Sequence, residues 1–128
     1  MVSAPDPDSE VARRFFGAWR YAGSKVDGAL RTDRGDPRGI IIYDPSGHMA
    51  VQIVPGREAR AAAPASQFIA YFGTWTIDEH ARTVTHHREG DLRADAEIHA
   101  VREYEFVGDR LILRPVGKTQ EIMWERVR

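Results

Sequence analysis

His86 and Arg102 each join a reactive side chain to a strand position that alternation turns inward. An imidazole exchanges a proton near neutral pH, and a guanidinium grips a carboxylate, an enolate or a phenolate, so together they would suit acid-base work on a small acidic molecule. The ordinary reading stands beside it. A buried ionisable group needs a partner, and Arg102 could bond a carboxylate or loop carbonyls while His86 bonds Tyr104 or backbone. Both readings stay open at the level of sequence.

His86 is placed by the stretch Tyr71 to Glu89, two runs rich in β-branched and aromatic residues around Asp78-Glu79-His80-Ala81, which predicts a β-hairpin. Pairing Ile77 with Arg82 sets Trp75 opposite Val84 and Gly73 opposite His86 on one face, leaving Phe72, four threonines and His87 on the other. A second hairpin surrounds Asp44-Pro45-Ser46-Gly47, a type I turn sequence. With Tyr43 opposite His48, the wholly apolar face of Ile40, Ile42, Met49, Val51 and Ile53 is the expected interior. Arg102 belongs to a strand from Ala96 to Val107, whose Gly108-Asp109 loop returns the chain with Phe106 opposite Leu111 and Tyr104 opposite Leu113.

The remaining elements complete the meander. Residues 1–8 read as a loose tail before a single domain over 9–128, and Ser9 as the cap of a helical turn through Arg14. Phe15 to Lys25 reads as the first strand, with Phe15, Gly17, Trp19 and Tyr21 on one face. Gly28 to Gly39 is a polar connection, Pro64 to Ala70 a short helix, Gly90 to Asp95 a charged turn, and Ile122, Trp124 and Arg126 share a face of the last strand.

Composition excludes several chemistries. The chain has no cysteine, so it has no thiol nucleophile, disulfide or thiolate metal site. Eighteen Lys and Arg against 19 Asp and Glu provide no basic field for nucleic acid. His86 and His87 point to opposite faces of one strand and cannot readily chelate one ion. No metal site, cofactor motif, nucleophile elbow or membrane-spanning run is expected, and the N-terminus lacks a signal-peptide pattern, so the expectation is a soluble cytoplasmic protein, monomer or homodimer.

About eight strands joined by short connections are enough to close an antiparallel barrel that is either filled by side chains or holds one small ligand. Gly17 with Trp19; Gly39, Tyr43, Gly47 and Met49; Tyr71 to Thr74; Val84 with His86; Arg102 with Tyr104; and Trp124 with Arg126 form an ordered set over residues 15–127. In these motifs the chain resembles the bacterial and fungal lipocalin-like domain family. The resemblance implies an eight-stranded barrel with a short N-terminal helical turn, one short helix between strands 3 and 4, and Arg126 packed over Trp19 to close one end. Such a barrel would hold a hydrophobic or aromatic-acid ligand against Trp75, Tyr104, Tyr43, Tyr71, Ile42, Met49, Val84 and Leu113. The alternative is a cofactor-free isomerase, cyclase or lyase in which His86 and Arg102 perform the acid-base steps.

Overall fold

Short connections make each strand's chain neighbour its natural antiparallel partner, and the sheet is built this way. The computed structural model describes residues 5–33, 35–93 and 96–128; parts of the expected tail, of the Gly28–Gly39 connection and of the Gly90–Asp95 turn therefore lie outside the described residues. α1 (Glu10–Phe15) leads into β1 (Gly17–Val26) and the short β2 (Ala29–Leu30). Then follow β3 (Arg38–Tyr43), β4 (His48–Val54), α2 (Arg57–Arg60), a 3-10 turn (Ala65–Gln67), β5 (Ile69–Asp78), β6 (Thr83–Asp91), β7 (His99–Val107), β8 (Arg110–Pro115) and β9 (Gln120–Arg126). Among the described residues these form one nine-stranded antiparallel sheet in which β1 also pairs with β9, so eight strands close a barrel and β2 is an appendage on β1. No helix among the described residues is long and apolar enough to cross a membrane.

One end of the barrel is plugged by α1. Ser9 caps the helix, its hydroxyl accepting from the Ala12 N–H at 3.1 Å, and this directs Phe15 into the barrel. Phe15 thus belongs to the helix and not to the first strand, because the strand begins only after the chain turns at Phe16. Its ring meets Tyr43 at 5.2 Å, Trp75 at 5.6 Å, Tyr104 at 5.2 Å and Phe106 at 4.9 Å, mostly edge to face. The Arg126 guanidinium lies 4.1 Å from the Trp19 ring centroid and donates to the carbonyls of Phe16 (3.0 Å) and Arg14, while Trp19 Nε1 donates to Phe15 O at 2.9 Å. The last strand, the first strand and the helix are locked together at this end.

Two registers differ from expectation. In the first hairpin of the ring, Tyr43 pairs with Met49 instead of His48. Gly47 adopts a left-handed φ of 92°, so Pro45-Ser46-Gly47 is a three-residue loop: a type I turn plus one left-handed residue, closed by Asp44 N–H to His48 O at 2.9 Å. One residue of slip inverts β3, burying Ile41 and Tyr43 and leaving Ile40 and Ile42 exposed at 40% and 42%. In the β5–β6 hairpin Asp78 pairs with Thr83, which puts Trp75 opposite His86 and Ile77 opposite Val84; the slip is by two residues and the faces are kept. The β7–β8 register agrees with expectation, Tyr104 facing Leu113 and Phe106 facing Leu111.

A β-bulge shapes the interior. Phe72 pairs with Gly90 but Gly73 pairs with Arg88, so β6 carries one extra residue at Glu89. The strands approach so closely there that a Cβ on Gly73 would lie 1.9 Å from the His87 carbonyl oxygen, which is backbone and cannot step aside. Gly73→Ala should therefore cost about 3 kcal/mol or more, read as a fall in the urea midpoint at unchanged slope. A variant as stable as the parent would mean that the bulge lies elsewhere.

Candidate functional site

β3, β5 and β6 each turn one polar side chain to the same point inside the barrel. His86 is 2% exposed and has one tyrosine on each ring nitrogen: Tyr43 Oη lies 2.6 Å from Nε2 and Tyr71 Oη lies 2.7 Å from Nδ1. The expected partner Tyr104 packs instead on Phe15 and Phe106, away from the imidazole. The inversion of β3 brings Tyr43 here, since the expected register pointed it outward. Burial, then the positive charges of Arg102 and Arg88, depress the His86 pKa from 6.5 to about 3, so the ring is neutral. Burial also raises both tyrosines, Tyr43 well above its ordinary value, and both remain phenols.

Beyond this polar line the barrel is open. A cavity of about 720 Å³ is lined at depth by Tyr71, His86, Arg88, Arg102, Leu113 and Trp124, and opens at the end opposite α1. Arg102 is half-buried, and among the described residues its side chain makes one hydrogen bond, to the carbonyl of Val101 at 3.2 Å. Among the described residues it has no carboxylate within ion-pair distance, and burial followed by Arg88 lowers its pKa. Arg88 stacks on Tyr71 with Cζ 4.2 Å from the ring centroid, donates to Glu97 O at 2.6 Å and faces Asp91 across 3.4 Å. Residues three apart on a regular strand lie on opposite faces; the bulge at Glu89 is what puts Arg88 and Asp91 on the same one.

The structure divides the expected site residues into three groups. His86, Arg102, Tyr71 and Leu113 line the cavity. Tyr43, Met49, Trp75, Val84 and Tyr104 point inward but are not part of its lining: they fill the barrel next to α1, where Trp75 Nε1 donates to Asp44 O at 3.0 Å. Ile42 is corrected outright, because its side chain is on the outer surface. Arg88 went unrecognised; Gly73 and Gly90 on facing strands were the available signal of a bulge that would turn it inward. His87 lies outside the barrel, bonded to Thr76 Oγ1 at 2.7 Å and to His99 Nδ1 at 2.9 Å, and among the described residues no three His, Asp or Glu side chains converge as a metal site.

Neutrality of His86 has a consequence for stability. An unfolded chain takes up a proton on this residue near pH 6.5 while the folded chain does not until about 3, so the contribution is whole above pH 6.5 and is lost as the pH falls toward 3. The slope from this residue is up to about 1.4 kcal/mol per pH unit. Urea midpoints of the native chain and His86→Gln, compared from neutral to acidic pH, should show the steeper acid-side fall in the native chain. Parallel profiles would mean that His86 titrates as an ordinary surface histidine.

Comparison with known proteins agrees with the barrel. Residues 17–127 match the family described as the lipocalin-like domain. A crystal structure of a DUF4847 family protein from Bacteroides vulgatus is similar, with a TM-score of 0.57 and 15% identity over 91% of this chain and 97% of that one, a likeness of fold. No curated protein sequence matches. The match spans the whole closed ring, from the first residue of β1 to the residue after β9, and on that extent the chain belongs to the lipocalin-like domain family.

Proposed function

We propose that the barrel binds a small, largely apolar molecule through an acidic head group. The observation that carries this reading is Arg102: a half-buried guanidinium lining a cavity of about 720 Å³, with no ion-pair partner among the described residues. A half-buried cation with no carboxylate at ion-pair distance among the described residues is available to a ligand carboxylate, enolate or phenolate. The volume is in the range of cavities that enclose a small ligand, roughly 300 to 1,000 Å³. Ile41, Val51, Ile53, Leu113 and Ile122 provide apolar walls for the body of such a molecule.

Catalysis by His86 as a base is the weaker reading. Both ring nitrogens are engaged by tyrosines, and a proton on the ring would sit buried beside two arginines. A fold that hosts carriers and enzymes alike is neutral between them, and the engaged ring nitrogens support holding a ligand over taking its proton.

Ligand-observed NMR against paired aromatic or aliphatic acids and their neutral methyl esters tests the reading. Acids should bind the native protein, and Arg102→Ala should weaken them about tenfold or more while changing the esters little. Equal loss of both classes would indicate collapse of the cavity, and failure of every acid to bind would sink the proposal. Recovery of each bound compound unchanged separates a carrier from an enzyme.

A further inference from the structure

Several of the polar groups that line the cavity are hydrogen-bond donors. Among the described residues two buried side-chain nitrogens lack an acceptor, Trp124 Nε1 and Arg88 Nε, and both residues line this cavity. The Asp91 carboxylate 3.4 Å from Arg88 Nε forms an ion pair with it but no hydrogen bond. An orphaned indole N–H on a tryptophan 2% exposed calls for an acceptor, because indole can only donate.

The Tyr43–His86–Tyr71 line adds a third donor. Tyr43 is 0% exposed, and its hydroxyl has one partner among the described residues, His86 Nε2 at 2.6 Å. A buried O–H must be donated, so Nε2 is the acceptor and carries the lone pair. The neutral ring then has its proton on Nδ1, which donates to Tyr71 Oη at 2.7 Å. With its oxygen already accepting, Tyr71 has a hydroxyl proton to direct into the cavity that it lines. The charges have the same sense: Arg88, Arg93, Arg102 and Lys118 line the cavity and its mouth against Asp91 and Glu97, with a fifth cation, Arg31, paired to Asp33 at 2.6 Å. Of the two lining acids, Asp91 is already opposite Arg88.

We propose that the cavity floor is an oxyanion site in which Tyr71, Trp124 and the two arginines hold an ionised oxygen, so that enols and phenols are taken up as their anions. This rests on the ligand-binding reading and specifies its chemistry. His86 is a positioning residue here. It passes the donor direction from Tyr43 to Tyr71, and it neither takes nor gives up a proton in the working pH range. Amines and amide N–H groups, which bring donors, meet the donors of the floor and are disfavoured there.

A chromophoric phenol reports the effect directly. Titrating bound para-nitrophenol by its phenolate absorbance should show ionisation at least about one pH unit below that of the free phenol, a tenfold preference for the anion. Tyr71→Phe should move the bound midpoint back toward the free value, with its circular dichroism and urea midpoint certifying its fold, while para-nitrobenzoate, ionised throughout, reports whether the native cavity binds acids at all. An unshifted midpoint, or the same shift in Tyr71→Phe, would overturn the oxyanion site even if nitrobenzoate binds and the broader reading survives. Absence of binding by both compounds would remove both. Nitrogen-15 shifts of the native protein give an independent check: His86 should hold its proton on Nδ1 between about pH 5 and 8, and a proton on Nε2 would also overturn the proposal.

Discussion

A neutral imidazole has one donor and one acceptor, and inside a barrel both must be matched. His86 meets this with two tyrosines from two other strands, which ties β3 and β5 to β6 through side chains as well as through the sheet. The position of this line organises the interior. On its Tyr43 side lie Phe15 and Trp75, and the barrel is filled; on its Tyr71 side lie Arg88 and Arg102, and the barrel is open. Eight strands leave an interior just wide enough to be packed or to hold one ligand, and this chain does one at each end.

The open half depends on a local irregularity. Without the extra residue at Glu89, Arg88 and Asp91 would lie on opposite faces, and Arg88 could not both cover the Tyr71 ring and pair with Asp91. Gly73 allows the irregularity by having no side chain where β5 meets the His87 carbonyl. The bulge is therefore a structural requirement of the site, which the chain holds at the cost of a glycine inside a strand.

Much of the ring was legible in the sequence because strand periodicity is set by burial. The β7–β8 register follows from clear alternation and a two-residue loop, and the stacking of Arg126 on Trp19 was what the family resemblance implied. The site was less legible, for a physical reason. Along β3 both candidate faces are apolar, Ile40 and Ile42 against Ile41 and Tyr43, so burial could not choose between them and the turn did. Asp-Pro-Ser-Gly fits a four-residue turn and a three-residue loop with a left-handed glycine equally well, and the two differ by the one residue that inverts the strand. His86 was placed inward correctly, but its partners lay on the strand that the turn inverted and beside the bulge that alternation does not foresee.

The arginines have a second role, adding to burial in holding the histidine at this point neutral. An imidazole buried next to a ligand site would usually be a pH switch, since a neighbouring carboxylate raises its affinity for a proton. Here burial, reinforced by the charges of Arg102 and Arg88, keeps it neutral. Neutrality is what preserves one lone pair on Nε2 and one proton on Nδ1, and so the directional order from Tyr43 to Tyr71. A protonated ring would donate on both sides and leave the fully buried Tyr43 hydroxyl with no acceptor. The cations that would bind an acidic ligand thus also keep the polar line oriented toward it, and weakening either one should loosen both functions together.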